Sequence, residues 1–321
     1  MATLYLDRQT AAVEREGASI VVRDRTGRRT NLPLNLLDRI VIRGTVALDT
    51  SVLGHLGDAG IVVSILSGRF HRLQGSFTGP LHNDARRRLG QARAYDDPRW
   101  CRRWSHRLVR LKLRQQQRLL EAVVEARPDV RLRLRKAIDT LRQARARLAD
   151  AQGELAAPAL LGIEGSAAQA YFAGLAAVVP PAFGFHGRNR RPPKDPFNAL
   201  LSLGYTLLHS EAVKAIWAAG LDPYLGFYHR PEYGRESLAA DLIEPLRPRV
   251  DRLCWELVRT QTVTPRHFRR SGQACLLSKS GREHFYQGYE MSIPPARRAL
   301  RRAAMTLAKR FANHHGLEKS Q

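Results

Sequence analysis

The residues whose types and spacing could do chemistry lie in three short segments of the second half of the chain. The first segment centres on Glu164, which is the single carboxylate between residues 160 and 172 among small and apolar residues. A carboxylate in such surroundings is costly to bury unless a cation pairs with it. Glu164 could equally lie on the exposed face of its helix, and the sequence leaves both interpretations open.

The other two segments supply an imidazole and a pair of carboxylates. His229 follows Phe227 and Tyr228, a setting that is also typical of a hydrogen-bonded histidine in a core. Asp241 and Glu244 are three residues apart, so they share one face of a helix. Such a pair could simply interact favourably with the helix dipole. It also provides the closely spaced oxygen donors that a hard cation needs.

Two or three carboxylates and one imidazole form a donor set that suits Mg²⁺ or Mn²⁺. Such a metal polarises a phosphate oxygen and stabilises charge on the entering and leaving oxygens. The three segments together therefore predict a metal-dependent enzyme that acts on phosphodiesters. The candidate metal-binding and catalytic residues are Glu164, His229, Asp241 and Glu244.

The charge balance indicates the substrate. The chain has 53 Lys and Arg against 29 Asp and Glu, and its isoelectric point is about 11.1. A polyanion such as DNA is the expected partner, because neutralising its phosphates releases counterions. A basic surface that binds nothing specific is the alternative. The side chains predicted to contact DNA phosphates, rather than to recognise bases, are Arg188, Arg190, Arg191, Lys194 and Arg230.

The elements that must position these residues form an α+β fold. Residues 1–80 contain short β-branched runs between glycine turns and predict a small β domain, with one helix that begins at an N-cap Thr50 and ends at Gly60. Residues 81–321 predict a larger all-α domain, which includes a long helical hairpin broken at Pro128. Asp195 and Pro196 are typical of an N-cap and the first position of a helix.

Several stretches, taken in order, resemble the CRISPR-associated endonuclease and integrase family of spacer acquisition, the first-numbered Cas protein. The resemblance covers essentially the whole chain. The stretches that carry it are residues 162–172, 195–201, 227–229, 237–245 and 281–285. The resemblance implies that Glu164, His229 and Asp241 bind the metal and that Glu244 is an accessory ligand or supports the ligands.

The resemblance also implies a homodimer that forms largely through the β domains. A small ferredoxin-like Cas partner dimer would bridge two such dimers into a heterohexamer. The implied substrates are double-stranded DNA fragments and the CRISPR repeat, joined when a fragment 3′-hydroxyl attacks a phosphodiester. A hydrolytic nuclease acting on branched or single-stranded DNA is one alternative, and a non-catalytic DNA scaffold is another.

The sequence predicts a cytoplasmic protein without membrane contact. Its first residues lack the basic region followed by an apolar stretch that is typical of a signal peptide. Its apolar runs are also too short to cross a bilayer.

Overall fold

The computed structural model describes residues 2–7, 10–68, 73–80, 82–151, 153–189 and 192–313. The chain divides into two compact units, Met1–Asn83 and Asp84–Gln321. The first unit is built mainly of strands and the second mainly of helices. The predicted α+β fold class is therefore confirmed. Within the described residues, every helix is too short or too polar to cross a membrane.

The first unit contains two four-stranded sheets. Its elements are β1 (Ala2–Leu6), β2 (Thr10–Glu16), β3 (Ser19–Asp24), β4 (Arg29–Pro33), β5 (Leu37–Arg43), β6 (Ala47–Leu48), α1 (Thr50–Asp58), β7 (Val62–Leu66) and β8 (Leu73–Phe77). One sheet has the order β1-β5-β7-β8 and the other has the order β4-β3-β2-β6. Strand β5 pairs in parallel with β1 and β7, whereas β2 and β3 pair antiparallel.

Buried aliphatic side chains from both sheets and from α1 form the core of this unit. Ile20, Ile40, Leu56 and Val63 are each at most 1% exposed. The predicted N-cap of α1 was wrong by one residue. The carboxylate of Asp49 accepts the backbone N–H of Val52 at 3.0 Å, and Thr50 is the first helical residue.

The second unit is a helical assembly that includes one short hairpin. Its elements are α2 (Ala85–Asp96), α3 (Pro98–Ala126), α4 (Arg131–Asp150), α5 (Ala157–Val178), α6 (Pro196–Ala218), α7 (Ser237–Ile243), α8 (Arg247–Arg259), β9 (Phe268–Ser271), β10 (Ala274–Leu277), α9 (Lys279–Ser292) and α10 (Pro294–Asn313). Strands β9 and β10 pair antiparallel around Gly272, which has a φ of +59°. Each strand has four residues, which is too short for a clear alternating pattern, and the all-α expectation missed them.

Helices α3 and α4 form the predicted hairpin, with Pro128 at the break between them. Helix α6 begins as expected, because Asp195 accepts the backbone N–H of Asn198 at 2.8 Å and Pro196 takes the first helical position. Helices α6 and α8 approach closely at Gly204, where an added Cβ would lie 2.4 Å from Val250 Cγ1. These packed helices provide the framework for the polar residues described next.

Candidate metal centre and nucleic-acid interface

Three charged side chains from separate elements meet at one point. Lys112 comes from α3, Glu164 from α5, and Glu244 from the short 3-10 helix Glu244–Leu246 that follows α7. The ammonium of Lys112 contacts Glu164 Oε1 and lies 2.6 Å from Glu244 Oε2. The exposed fractions of these side chains are 13%, 17% and 7%, so Glu164 belongs to a largely enclosed site.

Cations on both sides hold the carboxylate of Glu244. Arg247 Nε lies 2.8 Å from Glu244 Oε1, while Lys112 faces the other oxygen. Burial raises the pKa of Glu244, but the positive charges of Arg247 and Lys112 outweigh burial and hold that pKa at about 2. Glu244 is therefore ionised at neutral pH. The guanidinium of Arg247 is in turn stacked on the ring of Tyr205, at 4.6 Å from its centroid.

Asp241 is completely buried and is surrounded by hydrogen-bond donors. Its Oδ2 accepts the backbone N–H groups of Phe227 and Tyr228 at 2.8 and 3.0 Å, and the indole N–H of Trp104 at 3.3 Å. Its Oδ1 accepts the backbone N–H of His229 at 2.9 Å and lies 2.8 Å from the Nδ1 atom of that ring.

A carboxylate offers about four lone-pair sites, and these five contacts occupy all of them. Neither oxygen of Asp241 is left to bind a cation. This placement differs from the sequence prediction, in which Asp241 was a metal ligand and Glu244 the less certain one. The loop can fold against Asp241 because residue 226 is glycine, where an added Cβ would lie 2.6 Å from the carbonyl carbon of Ser237.

The contact with Asp241 fixes the orientation of the His229 ring. A histidine that donates Nδ1–H to a carboxylate presents the lone pair of Nε2, which is the arrangement common to metal-binding histidines. The imidazole of His229 is also within electrostatic reach of the Glu244 carboxylate. The Tyr228 ring packs edge-on against His229 at 5.0 Å.

The donor set has the chemistry of a divalent-metal site. Within the described part of the chain, no group of three His, Cys, Asp or Glu side chains is placed to hold a metal as it stands. Glu164 and Glu244 nevertheless face one shared cation, the Lys112 ammonium. Two carboxylates that share a cation, with an oriented imidazole nearby, fit Mg²⁺ or Mn²⁺.

A second buried carboxylate lies on α8. Asp251 Oδ2 accepts the hydroxyl of Tyr171 at 2.6 Å, and Oδ1 accepts the hydroxyl of Tyr205. Burial raises the pKa of Asp251 to about 6 despite these two hydrogen bonds. The Tyr205 ring lies beneath both Arg188 and Arg247. A network of side chains therefore connects Glu244 with the loop before α6.

Sequence reasoning missed Lys112, Arg247 and Asp251. Lys112 is the single lysine among the many arginines of α3, and Asp251 lies within an otherwise apolar face of α8. A lone carboxylate in apolar surroundings is the same signal that identified Glu164. The sequence indicates Lys112 less clearly, because many basic residues of this chain are exposed and the sequence does not distinguish a buried lysine from them.

The basic residues predicted to contact DNA differ in how they are held. Arg188 donates to Asn198 Oδ1 at 2.6 Å and to Ser202 Oγ at 3.2 Å, so α6 holds it in place. Lys194 is exposed, as is Arg230, whose guanidinium lies 5.7 Å from the ring centroid of Tyr95. Arg190 and Arg191 lie outside the described residues.

The loop before α6 also borders a cleft of about 790 Å³ in the second unit. The hairpin of β9 and β10 forms its other side. Basic side chains line the cleft, namely His186, Arg188, Lys194, Arg269 and Arg270. A cleft lined in this way suits the phosphates of a nucleic-acid strand. This lining is consistent with the predicted contact between the loop and DNA, which stays a prediction.

A mixed β unit, a helical unit and a carboxylate–histidine site beside basic side chains define the class of a nucleic-acid-processing protein. Residues 4–291 match the family model described as CRISPR associated protein Cas1. The chain therefore belongs to the Cas1 family, as its motifs predicted.

Relatives and solved structures agree with this assignment. A Thermodesulfovibrio yellowstonii protein named CRISPR-associated endonuclease Cas1 1 is 36% identical over 97% of both chains. A Thermus thermophilus protein named CRISPR-associated endonuclease Cas1 3 is 34% identical over 89% of this chain and 83% of its own.

The structure of a Thermotoga maritima Cas1 protein matches with a TM-score of 0.83 and 25% identity, and it covers 97% of each chain. A casposase bound to its integration product shares the fold, with a TM-score of 0.84 and 21% identity over 98% of this chain and 92% of its own.

Proposed function

We propose that this protein is a divalent-metal-dependent DNA integrase that inserts short DNA fragments into a CRISPR array. The observation that carries the proposal is the convergence of Glu164 and Glu244 on one enclosed cation beside an oriented His229. Membership of a family whose relatives are named endonucleases supports action on phosphodiesters.

The ligands that we propose are Glu164 Oε1, Glu244 Oε2 and His229 Nε2, and the metal is Mg²⁺ or Mn²⁺. Asp241 acts as a positioning residue that fixes the His229 ring through Nδ1. Arg247 has the corresponding role for Glu244, because it holds the other oxygen of that carboxylate at 2.8 Å. When bound, the metal polarises a phosphate oxygen and stabilises charge on the entering and leaving oxygens.

In the proposed reaction a fragment 3′-oxygen forms a bond to a repeat phosphorus. The bond from that phosphorus to the repeat 3′-oxygen breaks, and the proton of the attacking hydroxyl ends on the leaving oxygen. The number of phosphodiester bonds is unchanged, so the exchange needs no external energy source. Arg188, Lys194 and Arg230 hold DNA phosphates and position the strands.

The assembly that we propose follows from membership of the family. The β unit forms a homodimer, and a small ferredoxin-like Cas partner dimer bridges two homodimers into a heterohexamer. Double-stranded DNA, both fragment and repeat, is the substrate, and the cytoplasm is the expected location.

The test is an integration assay with the purified protein, its Cas partner, Mn²⁺, a labelled DNA fragment and a supercoiled plasmid that carries the array. We expect the label to be joined to the plasmid by the wild type and not by Glu164→Gln. Glu125→Gln is the matched control, because it removes an exposed carboxylate at the far end of α3.

The two alternatives give different results in the same assay. A hydrolytic nuclease would shorten DNA and join none. A non-catalytic scaffold would leave the activity of Glu164→Gln at the wild-type level, and that result would refute a catalytic site at Glu164.

A further inference from the structure

The cation between Glu164 and Glu244 is part of the protein itself. Lys112 reaches the two carboxylates from a third element, so the contact is not a local pairing along one helix. Its side chain is 13% exposed, and its ammonium lies between the two carboxylates.

The charges of this cluster already balance. Two carboxylates, Glu164 and Glu244, face two cations, Lys112 and Arg247. A divalent ion bound to the same oxygens would add two positive charges among largely buried side chains, and the Asp241 carboxylate beside His229 offsets only one of them. Such charges are costly without a partner, so one resident cation must move away from the carboxylates when the metal binds.

Lys112 is the cation that can move. Arg247 is stacked on Tyr205 at 4.6 Å and holds the Glu244 oxygen that faces away from Lys112. Lys112 carries a compact ammonium on a flexible four-carbon stem, and it contacts one oxygen of each carboxylate. Those are the two oxygens proposed above as metal ligands.

We propose that Lys112 is an exchangeable cation built into the site. It holds Glu164 and Glu244 together in the metal-free protein and is displaced when the divalent metal binds. Metal uptake is then the exchange of an ammonium for a metal ion, and competition from Lys112 weakens metal affinity. The inference rests on the proposed function, because it requires that these two carboxylates bind the metal.

The test compares Mn²⁺ binding by calorimetry and thermal unfolding, with and without Mn²⁺, in the full chain. Lys112→Met keeps an unbranched side chain that is one atom shorter and removes its charge. We expect its dissociation constant for Mn²⁺ to fall at least about tenfold. We also expect a lower unfolding midpoint without metal and a larger rise in that midpoint with Mn²⁺. Lys136→Met, at an exposed lysine of α4, should bind Mn²⁺ like the wild type.

Equal or weaker Mn²⁺ binding by Lys112→Met would overturn the inference. Lys112→Arg decides the case if Lys112→Met does not fold. The arginine fork holds carboxylates in a bidentate way and is harder to displace, so we expect Mn²⁺ affinity to fall about tenfold. Unchanged or tighter binding by Lys112→Arg would then contradict the exchange.

The inference and the proposed function fail in different ways. If neither the wild type nor Lys112→Met binds Mn²⁺, both are refuted. If the wild type binds Mn²⁺ and Glu164→Gln does not, while the Lys112 variants leave affinity unchanged, only the exchange is refuted.

Discussion

Asp241 and Glu244 are three residues apart and both are buried, yet their surroundings are opposite. Asp241 is enclosed by backbone N–H groups, an indole and an imidazole, whereas Glu244 is enclosed by the cations Lys112 and Arg247. Hydrogen bonds from rigid backbone fix a carboxylate in place and use up its lone pairs. We propose instead that the Lys112 ammonium, on its flexible stem, can be exchanged for a metal ion. The partners of a buried carboxylate, more than its burial, therefore decide whether it can bind a metal.

The largest effect should come from removing a carboxylate on the cation side. We expect Glu244→Gln to reduce Mn²⁺-dependent integration about 10³-fold, because the metal supplies several kcal/mol of transition-state stabilisation. Integration rates and Mn²⁺ calorimetry on the folded variant measure this change. If Glu244→Gln binds Mn²⁺ normally and Asp241→Asn does not, the roles of the two carboxylates are the reverse of those proposed.

Removing the carboxylate on the hydrogen-bonded side should mainly affect stability. In Asp241→Asn an amide NH₂ faces backbone N–H donors, so we expect the free energy of unfolding to fall by about 3 kcal/mol. A less well oriented His229 should reduce Mn²⁺ affinity about 10- to 100-fold. Urea unfolding and calorimetry are the measurements. Asp222→Asn, a change in the same loop, is the control. An equally large loss of stability in Asp222→Asn would mean that the hydrogen bonds of Asp241 have no special role in stability.

Asp251 sharpens the comparison because its donors are two neutral hydroxyls. Its pKa of about 6 in the folded protein lies above 3.8, the ordinary value for an aspartate, so the folded state holds the proton more tightly. The raised pKa therefore lowers the free energy of unfolding as the pH rises from about 4 to about 6. Below about pH 4 Asp251 is protonated, and this loss of stability is absent. We compare the free energy of unfolding of the wild type with that of Asp251→Asn. Between about pH 4 and about pH 6 we expect the wild-type value to fall relative to the variant's by up to about 3 kcal/mol.

Urea unfolding of both proteins at a series of pH values measures the difference. A difference that stays constant between pH 4 and pH 7 would mean that Asp251 is already ionised in the folded protein at the lower end of the window. The two tyrosine hydroxyls would then stabilise its charge as effectively as backbone donors stabilise that of Asp241.

Several features of this protein follow from the sequence alone. A region of strands followed by a mainly helical region, the break at Pro128 and the start of α6 at Asp195 depend on residues close together in the chain. The motifs around Glu164, His229 and Asp241 predict the Cas1 family, and the match to the family model confirms it. The sequence also placed Asp241 and Glu244 on adjacent positions of one helical face, and it could not separate their roles.

Only the tertiary structure decided those roles, because the deciding partners are distant in sequence. Trp104, which donates to Asp241, is 137 residues from it, and Lys112 is 52 residues from Glu164. Helical spacing fixes which side chains share a face, but the packing of α3 and α5 around that face determines which donors and cations reach it. These partners are the reason for our proposal that Glu164, His229 and Glu244, rather than Asp241, hold the metal, with Lys112 as the cation between the two glutamates.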